Sequence, residues 1–154
     1  MSPYRRLEWT PEKIQKFWDF QSHTNQSYFS YQVSGALLKL VGPSIRDCRT
    51  VLDYGSGPGF LIAALLEKGY EAAGVDFSEK SIERVTERFK GAKGFLGAFS
   101  LAALVQSQKK FDAIFVLEVI EHLDDKALGE LVANLKSSRS CDAGRSPQSP
   151  YDRA

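Results

Sequence analysis

The sequence predicts an α/β fold, a doubly wound parallel sheet with helices on both faces. Three observations lead there. Short apolar runs recur at Val51–Tyr54, Glu71–Asp76, Gly94–Gly97 and Phe111–Leu117. Between them the apolar residues fall at helical intervals, as in Leu61, Ala64 and Leu65 or Ile82, Val85 and Phe89. Strands that alternate with helices build a parallel sheet with right-handed crossovers. The first strand runs into three glycines at alternating positions, Gly55, Gly57 and Gly59, before a helix begins at Phe60. A glycine turn leading into a helix presents unpaired N–H groups and the positive end of a dipole, which favours an anionic or carboxylate-bearing ligand.

The elements follow in order. Residues 1–10 read as a lead-in, and Thr10-Pro11-Glu12 starts a first helix with Thr10 as its cap. That helix carries Ile14, Phe17 and Trp18 on one face. Gln21 to Ser27 is polar and reads as a loop, with His23 solvated. Helical spacing resumes from Tyr28 to Val41, and Gly42-Pro43 is a stop signal. Tyr28, Phe29 and Tyr31 either pack on the coming sheet or cover a ligand. The helix from Phe60 ends at Gly69, and Ser78 caps the next helix, which ends near Gly91. Leu101, Leu104 and Val105 predict a short helix after the third strand. Phe111–Leu117, apolar almost throughout, predicts a strand buried on both faces. Asp124 or Asp125 caps a last helix through Leu128, Leu131, Val132 and Leu135.

From Ser137 to Ala154 the composition turns to Ser, Arg and Pro, without Leu, Ile, Val, Phe or Met. Such a segment buries too little apolar surface to order itself and reads as a disordered tail. The chain thus divides into a lead-in, 1–27, a ligand-binding domain, 28–136, and a tail, 137–154.

Whole-chain properties narrow the function classes. The 154 residues suffice for one domain with a core, and 43% hydrophobic with 25% charged residues is ordinary for a soluble protein. A net charge of +1 gives no overall field for nucleic acid or membrane. Cys48 and Cys141 lie far apart, outside any metal-like spacing. With no signal peptide or membrane-length apolar run, they point to a reducing, cytoplasmic setting.

In an open parallel sheet, ligands bind beyond the carboxyl ends of the strands, where strand order reverses. Three signals fall at such ends: the glycine turn after Tyr54, Asp76 closing the second strand, and Leu117-Glu118 after the fourth. Asp76 lies about 20 residues past the glycines, the spacing at which an acid takes ribose hydroxyls in nucleotide-binding folds. A dinucleotide fingerprint would need a glycine at position 60, where Phe60 stands. The chain has Gly-x-Gly-x-Gly instead, with Asp53 two residues ahead of it.

With Val51–Gly59, Gly74-Val75-Asp76-Phe77-Ser78 and Phe111–Asp125 in this order, the chain resembles the class I S-adenosylmethionine-dependent methyltransferases. The likeness covers roughly residues 28–136. It implies a Rossmann-like sheet, S-adenosyl-L-methionine as cofactor and methyl transfer to an acceptor, most readily a small molecule. It also implies roles. Asp53, Tyr54, Gly55, Ser56 and Gly57 would carry the methionine part, with Asp53 supporting the turn or reaching the amine through water. Asp76 would hold the ribose hydroxyls and Phe77 the adenine face. Ala98 and Phe99 would flank the adenine, and Leu117 and Glu118 would face the methionine end. His122 is the candidate base, against a role in positioning the turn. Glu118-Val119-Ile120-Glu121-His122 is also similar to the metal motif of small-RNA 2′-O-methyltransferases, but the further downstream histidine of that family is missing, so no metal is assigned. The same segment resembles small-molecule O-methyltransferases that need no metal.

The family's sheet is longer and ends in an antiparallel hairpin. Four strands precede the change of composition at Ser137, so the expectation is a fold lacking its last strands. A second copy or another partner would then cover the open edge. Cofactor binding without turnover, or a metal-assisted function like that of the RNA 2′-O-methyltransferases, is the alternative.

Overall fold

A computed structural model describes residues 10–21 and 29–140. The elements are α1 (Pro11–Gln21), α2 (Phe29–Ile45), β1 (Thr50–Tyr54), α3 (Phe60–Glu67), β2 (Glu71–Val75) and α4 (Glu79–Arg88). They continue with β3 (Phe95–Phe99), α5 (Leu101–Ser107), β4 (Ala113–Val116), a 3-10 turn at Ile120–His122, and α6 (Asp125–Ser138). All pairings are parallel and the strand order is β3-β2-β1-β4. The order reverses between β1 and β4, so the crevice opens at their carboxyl ends.

Strand periodicity sends alternate residues to opposite cores. Val51 and Ala72 join Leu61, Ile62 and Leu65 of α3, Val85 of α4 and Phe89 just after it on one face. Leu52, Ala73 and Val75 join Leu104 of α5 and Phe111 on the other. The registers Leu52↔Ala73 and Leu52↔Ile114 keep these layers aligned. β2 is built from small residues for a steric reason. A Cβ on Gly74 would lie 2.7 Å from Ser56 Oγ and 2.8 Å from Ile62 Cδ1, so α3 and the glycine turn could not come so close. The caps behave as their residue types predict. Ser78 Oγ accepts from Ser81 N at 3.2 Å, Asp124 Oδ1 from Ala127 N at 2.8 Å, and Gly69 leaves α3 at φ 86°.

Three expectations are corrected. First, α2 does not stop at Gly42-Pro43 but runs to Ile45. Pro43 falls in its last turn, and the helical path carries Ile45 into the core beside Leu38 and Val51. Second, β4 is half-buried throughout rather than enclosed, because it is the edge strand and has only β1 beside it. Third, the tail does not begin at Ser137. α6 continues through Ser138, and Arg139 forms a parallel bridge with Phe111. Phe111 N donates to Ser138 O at 2.9 Å, and Ser140 N donates to Phe111 O at 2.8 Å. These bonds are main-chain bonds and need no apolar side chains. Residues 141–154, the loop with His23, and Tyr28 lie outside the described residues, as do the side chains of Trp18, Phe29 and Tyr31. Among the described residues no helix is long and apolar enough to cross a membrane.

Asp112 ties the feet of β1 and β4 together. Its Oδ2 accepts from Arg49 N and Thr50 N, both at 2.8 Å, and from Thr50 Oγ1 at 3.0 Å. These bonds hold its carboxyl below the ordinary carboxylate range, the Thr50 backbone bond most strongly. Such a group stabilises the fold above its unfolded pKa, and that stability is lost as pH falls through the lowered folded value. Asp112→Ala is therefore expected to cost about 1–3 kcal/mol in urea unfolding at neutral pH. The deficit should shrink in acid, below the ordinary carboxylate range. A deficit unchanged at low pH would remove the ionised carboxylate from the explanation.

Candidate functional site

The crevice is shaped by the end of β2. Gly55 N and Ser56 N both donate to Val75 O, at 2.8 and 3.0 Å. Gly57 N donates to Asp76 Oδ2 at 2.7 Å, and Ser78 N donates to Asp76 Oδ1 at 2.8 Å. One carboxylate therefore fixes both the glycine turn and the start of α4. Gly55 has φ 82°, and a Cβ there would collide with Val119 Cγ2. The absence of a side chain lets the loop after β4 pack directly on the turn. That loop is strained as well: Glu118 has φ 54°, the left-handed region that non-glycine residues seldom occupy.

Around this junction lies a cavity of about 1080 Å³. Its walls include Asp53, Tyr54, Gly55, Gly57, Asp76 and Phe77 from the first two strand ends, and Leu117 and Glu118 from the fourth. Phe77 presents an aromatic face at the rim, 58% exposed. Three predicted site residues stand elsewhere. Ser56 is buried behind the turn against Gly74. Ala98 packs with the α3 core and Phe99 with the α5 core. The reason is a register shift between β2 and β3: Ala72 pairs with Phe95, but Ala73 pairs with Gly97. β3 therefore stays in the sheet longer, with Val75 opposite Phe99, and Ser100 and Leu101 reach the cavity instead.

Sequence reasoning also missed distant walls. Ile14 of α1, Val105 of α5 and Ala127 and Asn134 of α6 line the cavity. Ser100 carried a signal, since a serine between a strand and Leu101 reads as a helix cap, and its Oγ does accept from Ala103 N at 3.2 Å. Ile14 carried none, because its place depends on how α1 docks. His122 lines the cavity from the 3-10 turn, whereas Glu121 of the same turn does not. Among the described residues no group of three His, Cys, Asp or Glu side chains could hold a metal ion.

Asp53 is the electrostatic centre. It is 3% exposed, and burial first, then the charge of Asp76, raises its carboxyl from the ordinary 3.8 to about 7. Burial alone raises the Tyr54 hydroxyl beside it. A carboxylate in this position gains from a cation placed nearby. The pieces fit an amino-acid-bearing nucleoside: an open glycine turn, a buried acid for an ammonium group, Asp76 at the rim for hydroxyls and Phe77 for a base.

Comparison with known proteins identifies the source of this arrangement. Residues 51–138 match the family model described as a methyltransferase domain. The chain belongs to the class I S-adenosylmethionine-dependent methyltransferase family. A ubiquinone biosynthesis O-methyltransferase of Methylococcus capsulatus is 35% identical over 82 residues, which is 51% of this chain and 35% of that protein. The chain thus matches about a third of the length of this curated relative. Among solved structures, a SAM-dependent methyltransferase from Archaeoglobus fulgidus has TM-score 0.57 and 26% identity, covering 80% of this chain and 53% of that one. The methyltransferase domain of bacterial CtHen1 has TM-score 0.56 and 28% identity, covering 70% and 60%. The predicted family and Rossmann-like fold are therefore right.

The raised Asp53 carboxyl has a stability consequence. A group whose folded pKa exceeds its unfolded value gives stability that is complete below the unfolded pKa and is lost as pH rises through the folded one. Without ligand, the melting temperature of the protein should fall between pH 4 and pH 8 more steeply than that of Asp53→Asn. Parallel melting curves over that window would show that Asp53 is not the titrating group.

Proposed function

We propose that this chain binds S-adenosyl-L-methionine in the crevice between β1 and β4 and passes its methyl group to a hydroxyl of a small molecule. The observation that carries the reading is the coupling of Asp76 to the glycine turn through Gly57 N. It sets the ribose-holding acid and the methionine cradle at a fixed separation. Each Asp76 oxygen accepts one backbone N–H, and a carboxylate oxygen can accept from more than one donor, as a sugar diol would require. Gly55 and Gly57 would pass beneath the methionine, Asp53 would face its ammonium group, and Phe77 would lie along the adenine, where an aromatic ring adds stacking to burial. Ser100 and Leu101, which line the cavity, would flank the adenine in place of Ala98 and Phe99.

The cofactor brings an electrophilic sulfonium methyl, so the protein's own work is alignment. Leu117 and Glu118 line the cavity after β4 and would face the methionine end. His122 lies on the acceptor side and is the residue to receive a proton where the acceptor hydroxyl must lose one. The ubiquinone-biosynthesis relative supports an oxygen acceptor on a small molecule. The metal-assisted reading of Glu118, Glu121 and His122 has no converging donor set among the described residues to support it.

Calorimetry with S-adenosylhomocysteine tests the cofactor site. Asp76→Ala should weaken binding by about 1–3 kcal/mol, roughly a 5- to 150-fold rise in Kd. An unchanged Kd would remove Asp76 from the ribose. Incubation with methyl-labelled cofactor and catechol tests turnover, and binding without any transfer would leave a cofactor-binding protein rather than an enzyme.

A further inference from the structure

We propose that Arg88 is a positioning residue for the cofactor: from outside the cavity it fixes the second half of the glycine turn through the Pro58 carbonyl. The inference rests on the cofactor reading and adds a residue to it. The first half of the turn, Gly55 to Gly57, is held from β2. The second half is Gly57-Pro58-Gly59, with φ 48° at Gly57 and 77° at Gly59. Proline has no N–H and a fixed φ, so the freedom left to it is rotation about ψ, which swings its carbonyl. Arg88 Nη1 donates to that carbonyl oxygen at 2.9 Å. Holding the oxygen holds the plane of the peptide between Pro58 and Gly59, which a glycine on its far side would otherwise let turn over.

Arg88 is itself held in place. It is the last residue of α4, where a cation meets the negative end of the helix dipole. Its guanidinium carbon lies 5.3 Å from the centroid of the Phe60 ring and 5.0 Å from that of Phe89. Both distances allow an attractive cation–π contact. Phe60 begins α3 and Phe89 follows α4, so the guanidinium joins the two helices beside the turn. Gly59 is part of the same fit: a Cβ there would lie 2.8 Å from Phe89 Cε2 and 3.1 Å from Val85 Cγ2. Pro58 is a buried residue, and a charged donor makes a stronger hydrogen bond to its carbonyl than a neutral one would. α4 is thus tied to the turn at its start, by Asp76 through Ser78 N and Gly57 N, and at its end, by Arg88. Arg88 is not among the residues that line the cavity, so its effect on a ligand passes through the turn.

Two variants of the full chain separate the hydrogen bond from the packing. Arg88→Met keeps a long apolar stem against Phe60 and Phe89 but removes the donor. Arg88→Lys keeps a charged donor on a flexible stem. Each is titrated calorimetrically with S-adenosylhomocysteine, and its folding is followed by urea unfolding. Arg88→Met should raise Kd at least about fivefold, through the loss of a hydrogen bond from a charged group. Arg88→Lys should stay within about threefold of the unsubstituted protein. Unchanged binding by Arg88→Met, or equal losses in the two variants, would overturn the proposal. So would unfolding of Arg88→Met without urea, since Arg88 would then serve the fold as a whole and not the turn. Failure of the unsubstituted protein to bind S-adenosylhomocysteine would instead overturn the cofactor reading, and this one with it.

Discussion

The main chain at the end of β2 is the constraint on which the crevice depends. Val75 O accepts from two successive amides of the glycine turn, and Asp76 takes a third from Gly57. A turn with three glycines at positive φ has many conformations open to it in isolation. These bonds select one of them, and Gly74 lets Ser56 sit close enough beneath for the selection to hold. Pre-organisation of this kind lowers the entropy a ligand must pay to order its own site.

The same architecture explains why an acid is kept where burial opposes its charge. Asp53 follows Val51 and Leu52, both fully buried, and continues their strand directly into the crevice. Its environment favours the neutral form until a cation arrives. Binding a cationic ligand and releasing the Asp53 proton are then linked, because each favours the ionised carboxylate. The cost of a buried acid in the free protein becomes preference for a charged ligand in the bound one.

The sequence made the fold legible where the signal was local. Apolar period, glycine spacing and cap residues depend on near neighbours, and they placed β1, β2, α3, α4 and the Asp76 end correctly. Errors arose where the deciding contact was distant. Pro43 fails to stop α2 because the core holds Ile45, and β4 looks like a central strand because its composition does not reveal that it is at the edge. Ser138 and Ser140 order themselves on Phe111 through main-chain bonds that leave no mark in composition. At the site, Ser100 and Leu101 line the cavity, while Ala98 and Phe99 pack in the two cores. Ile14 became a wall only through the docking of α1.

The two halves of the crevice differ in how they are supported, and this bears on their functions. The cofactor half is closed on itself: its shaping hydrogen bonds run between residues 55–57 and 75–78. β2 and β1 are the two inner strands of the sheet, so these bonds stand on its most enclosed part. The acceptor half rests on the loop after β4, the 3-10 turn and α6, all attached to an edge strand that is half-buried throughout. Its contact with the cofactor half is the packing of Val119 against Gly55, and it passes through Glu118 in a strained conformation. On the proposed function, such a site would hold its cofactor on the two inner strands and meet its acceptor beside the edge strand. Affinity for the cofactor would then depend on β1 and β2, and choice of acceptor on the elements after β4.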